Sequence, residues 1–299
     1  MEVLEAEVVV EVGKFLKALA TYSGKEFKRL YHGRGEKTFP FLTIDSIDDT
    51  LFIQLFETNP YEDKISNLSK EIFPHKNIII KKRYTNETFA IKGEIPKEAY
   101  ALENGYKFKL NFLNQNIGYF GDTKHAREFI GKIARDKSVL NLFSYTCGFS
   151  LYAKKNGAKF IANVDMSKSA LKVGMQNHAI NNLPNKNVAF WPYNILKAFN
   201  KLKKIAPYDI IIIDPPTHQK GSFIASKDYI KIIKKLNSLT HSQTTLLACI
   251  NSPTFSKEEL ISMIENNSSF KFKHQIPNPK EYTNSTLKAL VFNASKSDL

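Results

Sequence analysis

The chain has 299 residues, 42% hydrophobic and 24% charged, and carries a formal net charge of +14. That length holds one large domain or two modest ones, and two cysteines, Cys147 and Cys249, exclude a disulfide scaffold. The apolar runs are strand-sized and the seven histidines lack ligand spacing, so neither a membrane span nor a metal is expected.

In chain order, MEVLEAEVVVEVGKFL is acidic where a secretory leader would be basic, and the two cysteines suit a reducing cytoplasm. A helix is expected over 13–22. Short mixed segments follow at Phe41–Ile44, Leu51–Phe56 and Ile78–Lys82, interrupted by a helix over Tyr61–Ile72. These describe a small α+β domain over 1–106, with Ile91–Tyr106 as a connection. Arg29-Leu30-Tyr31-His32-Gly33-Arg34 and Lys81-Lys82-Arg83-Tyr84 mix cations with aromatics. That mixture suits RNA phosphates and unstacked bases, and equally a solvated strand edge guarded by lysine. The basic balance suggests a polyanionic partner, although only five of the 43 basic residues are arginines and a lysine-rich proteome would look the same.

From 107 to 299 strand and helix signals alternate. Strands are expected at Val139–Phe143, Phe160–Asp165, Val188–Tyr193, Asp209–Ile213 and Thr244–Ile250. Helices are expected at Gly148–Asn156, Ser167–Asn181, from about 195 to Lys203, and at Ser226–Leu239. Ser256 and Glu259 form a capping-box pattern for one more helix. Strands near Phe270–Ile276 and Leu287–Phe292 have no helix between them. The reading is an α/β sheet, mostly parallel, with an antiparallel pair at one edge.

The turn after the first of these strands, VLNLFSYTCGFSLY, has a single glycine, Gly148, where a pyrophosphate loop would need several. Asp165 ends the next strand, where a carboxylate can accept from both ribose hydroxyls or simply favour a helix N-terminus. Asn194 follows the third strand, as an adenine contact or an ordinary turn residue. A nucleoside without a phosphate chain fits the set, and S-adenosylmethionine is the obvious candidate. The stretch YDIIIIDPPTHQKG then gives Asp214-Pro215-Pro216 a role. Proline fixes φ and restricts its predecessor, so the carboxylate is held beside the methyl donor if the two strands are neighbours. In isolation Asp-Pro-Pro is a rigid turn.

The ordered set RLYHGRGE, ENGYKFKLNFLNQNIGYFGD, VLNLFSYTCGFS, NVDMSKSALKVGMQNH and DPPTHQKGSF resembles the class I methyltransferases. More narrowly it resembles the large-subunit ribosomal RNA group that includes bacterial enzymes for a cytosine C5 and a guanine N7. The resemblance covers roughly residues 25 to 292. It implies a Rossmann-like methyltransferase domain behind the small domain, S-adenosylmethionine as cofactor, and RNA, ribosomal RNA foremost, as substrate, in a monomer or homodimer. Carried over, Gln115, Tyr119 and Asp122 flank the donor's methionine part. Phe143, Ser144, Tyr145 and Gly148 form its first loop. Asp165 with Met166 serves the ribose, Asn194 the adenine, and Asp214 and Pro215 the methyl group. The family usually has an aspartate at the position of Asn194, and no PUA-like RNA-binding module is expected here.

A cytosine C5 target requires a thiolate. Cys249 lies inside an apolar strand and reads as core; Cys147 reads as packing. Asn251, just beyond, can present donor and acceptor to a base edge, which favours a nitrogen target. His218 is a proton acceptor or an exposed loop residue, and Phe223 a stacking lid or part of a mobile connection. Besides RNA methylation, two readings stay open: the same fold acting on protein or a small molecule, and a non-catalytic RNA-binding or assembly factor.

Overall fold

A computed structural model describes residues 12–219 and 223–295, and only the backbone of His218 and Gln219. The N-terminal acidic stretch up to residue 11, the His218 side chain, and Gly221 and Ser222 lie outside what it describes. Contacts group Met1–Gly121 with Lys280–Asn284, and Asp122–Pro279 with Ser285–Leu299.

The first unit begins with α1 (12–19), followed by β1 (Lys28–His32), β2 (Leu42–Ile47), β3 (Thr50–Leu55), α2 (Glu62–Ile72), β4 (Asn77–Lys82) and β5 (Glu87–Lys92). The strands form one sheet in that order, antiparallel except where α2 carries the chain from β3 to a parallel β4. Strand alternation sorts the side chains by face. Leu42, Ile44, Leu51, Ile53, Ile78 and Ile80 pack with Leu16 and Ile65. Thr43, Asp45, Phe52, Gln54 and Lys81 take the alternate positions and are also buried. There Asp45 takes Arg29 at two points, Nε to Oδ1 at 2.5 Å and Nη2 to Oδ2 at 3.0 Å. Burial still outweighs the guanidinium and raises the carboxyl above its usual range.

The stretch from Ile91 to Tyr106 is not a plain connection. It holds the end of β5 and the strand β6 (Ala99–Glu103), which pairs with β7 (Tyr106–Leu110). Asn104 (φ 50°) and Gly105 (φ 77°) make the two-residue turn, a left-handed pair that Asn-Gly adopts readily. A boundary at 106/107 would cut β7, and contacts instead divide the chain at 121/122.

The second unit opens with α3 (Lys124–Ile133) and alternates thereafter: β8 (Ser138–Leu142), α4 (Gly148–Lys155), β9 (Phe160–Val164), α5 (Lys168–Ile180), β10 (Val188–Trp191), α6 (Ile195–Leu202) and β11 (Ile210–Ile213). After the short pair β12 (His218–Gln219) and β13 (Phe223–Ile224) come α7 (Ala225–Ile233), β14 (Thr245–Asn251), α8 (Lys257–Asn267), β15 (Phe270–Ile276) and β16 (Leu287–Ala294). The sheet order is β10-β9-β8-β11-β14-β16-β15. The first five are parallel, and the expected antiparallel pair closes one side with β16 inside and β15 at the rim. The four isoleucines of β11 serve both faces. Ile211 and Ile213 join the cluster under α6, α7 and α8, and Ile210 and Ile212 the one under α3 and α4. Ser256 and Glu259 close the capping box of α8. Among the described residues no helix is long and apolar enough to cross a membrane.

Asp45→Ala leaves Arg29 without its buried partner and is expected to cost about 3–5 kcal/mol. The double variant Arg29→Met/Asp45→Leu is expected to recover most of that. Urea unfolding of the three proteins checks both values.

Candidate functional site

Strand order reverses between β8 and β11, which are direct neighbours with Leu142 opposite Ile213. The turns after the two strands therefore border one crevice at the carboxyl end of the sheet, the position where open α/β sheets hold ligands.

The turn after β8 is strained. Phe143, Tyr145 and Cys147 all have left-handed backbones, at φ 58°, 47° and 63°. Each costs on the order of 1 kcal/mol or more for a side chain larger than glycine's. Alternating left-handed residues turn successive N–H groups into one concavity, a nest for negative charge. The surroundings hold it at every step. Ser144 N–H donates to Val164 O at 3.1 Å, Tyr145 N–H to Asp165 Oδ2 at 2.9 Å, and Cys147 N–H to Ser144 O at 2.7 Å. Asn177 Nδ2, from α5, donates to Thr146 O at 3.0 Å. The Ser144 hydroxyl is buried and, among the described residues, has no nitrogen or oxygen partner.

Asp165 serves the start of α5 and the β8 turn together. Its Oδ1 accepts from Ser167 N–H at 2.8 Å at the start of α5, while Oδ2 holds the β8 turn. Burial raises its pKa, and the two backbone donors pull the other way. Asn194 occupies the N-cap position of α6, yet its side chain caps nothing. It instead lines a cleft with Phe143, Met166, Tyr193, Ile195, Leu196 and Phe223. Phe223 is 2% exposed, with its ring 4.7 Å from that of Phe143.

Across the crevice, Asp214 N–H reaches Leu142 O at 3.5 Å, and Thr217 Oγ1 donates to Asn251 O at 2.8 Å. The Asp-Pro-Pro turn is thus fixed at both ends, with Pro215 buried and Asp214 half-buried. Burial lifts the Asp214 carboxyl to about 7; the negative charge of Asp122 adds to the rise, and Arg127 opposes it. Asp122 accepts from Ser285 Oγ at 3.4 Å. Asn251, at the exposed end of β14, accepts from the Thr286 hydroxyl. Gln115 and Tyr119 fall in the first unit. Gln115 is exposed, and its carbonyl accepts from Arg83. Tyr119 packs against Phe27 and Phe108, with its hydroxyl on Glu103. Cys249 is fully buried in β14 and Cys147 in its turn; burial drives both thiols well above their ordinary range.

Three supports were missed in the sequence. Asn141, Asn163, Ser150 and His178 form a buried chain of hydrogen bonds at 2.9, 3.0 and 2.9 Å behind the strained turn. Its signal was legible: asparagine is the fourth residue of each of two adjacent apolar strands, SVLNL and FIANV. Tyr229, fully buried, donates to Cys249 O at 3.1 Å and lies 3.5 Å from Ile213 O, joining the two strands below Asp214. Gly174 lets α5 approach, since a Cβ there would meet Cys147 Sγ at 2.4 Å. Gly174→Ala is therefore expected to displace the turn and cost about 1–3 kcal/mol, read as a lower midpoint of thermal unfolding.

A family model described as S-adenosylmethionine-dependent methyltransferase matches residues 28–293. Ribosomal RNA large subunit methyltransferase I of Aeromonas salmonicida is 34% identical over 190 residues, 59% of this chain and 48% of that protein. Ribosomal RNA large subunit methyltransferase K/L of Pseudoalteromonas translucida is 32% identical over 209 residues, 67% of this chain and 29% of that one. The chain thus spans about half the length of the first and less of the second. Among solved structures, a Streptococcus mutans chain described as an S-adenosylmethionine-dependent methyltransferase superposes with a TM-score of 0.86, covering 96% of this chain and 81% of that one at 24% identity. With the family model matched over residues 28–293, the chain belongs to the S-adenosylmethionine-dependent methyltransferase family.

Proposed function

We propose that the protein transfers a methyl group from S-adenosylmethionine to a nitrogen of a base in RNA, ribosomal RNA foremost, in the cytoplasm. The observation that carries this reading is the crevice at the β8–β11 reversal, with the strained turn on one side and Asp214-Pro215 on the other. The printed names of the relatives support RNA as the substrate class. The residues fit the donor. The buried Ser144 hydroxyl answers a carboxylate, Asp165 answers vicinal hydroxyls, and the Asn194 cleft answers a purine. When bound, the donor supplies an electrophilic methyl group on a positively charged sulfur.

The chain's own residues position and neutralise. Ionised Asp214 offers a negative charge to a cation in the crevice and accepts the proton that a ring or exocyclic nitrogen loses. Asn251, its oxygen fixed by Thr286, keeps amide donors for a base edge. A nitrogen already owns the lone pair that forms the new bond. A carbon target would need a thiolate, and both cysteines are buried, with thiols held in the neutral form.

Labelled donor incubated with RNA from a deletion strain is expected to label RNA, and nucleoside mass spectrometry to return an N-methylated base. Label that resists nuclease and yields to protease would overturn the reading. Asp214→Ala is expected to lower kcat by about 100-fold or more.

Because the Asp214 carboxyl sits at about 7, its ionised fraction grows as pH rises from 6 to 8. Donor affinity is expected to rise about three- to tenfold over that interval. S-adenosylhomocysteine, lacking the sulfur charge, is expected to gain less, and Asp214→Asn to flatten the donor's slope. Calorimetry at the two pH values measures all three.

A further inference from the structure

Three strands of the first unit run in the same direction. β1 and β3 are both antiparallel to β2, and β4 is parallel to β3. Their carboxyl ends therefore meet at one end of the sheet. The residues just past those ends are Arg34, Phe56 and Arg83. They meet in space as well: the Arg34 guanidinium lies 4.4 Å from the centre of the Phe56 ring, and that of Arg83 lies 5.5 Å from it.

The other cations of the same two basic stretches are committed elsewhere. Arg29 is spent on buried Asp45, Lys81 is fully buried, and Lys82 pairs with Glu62 at 2.7 Å. Arg83 is held in place, donating to Gln54 Oε1 at 3.3 Å, to Asn116 Oδ1 at 3.3 Å and to Gln115 O. Arg34 is different. It is exposed, and among the described residues its guanidinium has an aromatic neighbour and no carboxylate. An arginine resting on a ring keeps its edge N–H groups for an incoming anion while its plane continues the stack.

We propose that Arg34, Phe56 and Arg83 form a platform for one nucleotide of single-stranded RNA, the base stacking on the arginine–phenylalanine layers and a phosphate taking the Arg34 edge. This rests on the reading of RNA as the substrate and gives that substrate a contact on the first unit. A stack of this kind accepts any base, so the site contributes affinity and strand preference rather than sequence. A duplex, whose bases are already stacked, offers it only phosphate.

The test uses the whole chain and a fluorescent single-stranded RNA dodecamer of mixed sequence, with the matching duplex as control, followed by anisotropy across a salt series. Phe56→Leu keeps an apolar side chain and removes the ring. It is expected to weaken single-strand binding about tenfold, leave duplex binding within about twofold, and keep the salt slope. Arg34→Gln is expected to weaken both RNAs and reduce the salt slope by about one. S-adenosylhomocysteine affinity, measured by calorimetry, and the urea unfolding transition are expected to match the parent's in both variants, which shows that both units are folded. Parent-like RNA binding by both folded variants overturns the platform alone. Absence of RNA binding by the parent overturns the RNA reading and the platform with it.

Discussion

The parallel pairing of β8 with β11 is the constraint on which the rest depends. With Leu142 opposite Ile213, the chain leaves two adjacent strands at one level and turns away in opposite directions. Everything assigned to the crevice is a consequence of that register. A shift of one residue would send the isoleucines of β11 to the wrong faces, because Ile211 and Ile213 belong to one core and Ile210 and Ile212 to the other. The hydrophobic layers thus hold the site's geometry without taking part in its chemistry.

Strain at the β8 turn is the second element. Three left-handed residues in five would open into a looser loop if nothing opposed them. Hydrogen bonds from three different elements oppose them: Val164 O at the end of β9, the Asp165 carboxylate just past it, and Asn177 on α5. The buried Asn141–Asn163–Ser150–His178 chain ties β8, β9, α4 and α5 together underneath. Burial keeps His178 neutral, its pKa pushed down to about 4, so this support does not change charge near neutrality. A turn shaped in advance spares a ligand the cost of ordering it.

The second unit was largely legible because its signals are local. Hydrophobic runs of strand length, a capping box at Ser256 and an N-cap at Ser167 each declare themselves within a few residues. Asp165, Asn194 and Asp214 could be proposed because each follows an apolar run. The first unit was less legible. β1, KRLYH, carries no alternation, and its five residues are all half-buried. The Asn104-Gly105 turn was a local signal passed over. The meeting of Arg34 and Arg83 at Phe56 had no local signal at all, since it depends on which way three strands run. Tyr229 and Gly174 were hidden for the same reason: their partners lie far away in the chain.

The position of β16 reaches beyond the finished structure. It lies between β14 and β15 and pairs with both, Asn251 facing Leu287 at the end that bears the candidate site. Until a ribosome has delivered residues 287–294, β14 has one open side and β15 has no neighbour. The side of the site that carries Asn251 must therefore mature after residues 287–294 have emerged, and a chain stalled before that point would expose a sticky, unpaired strand.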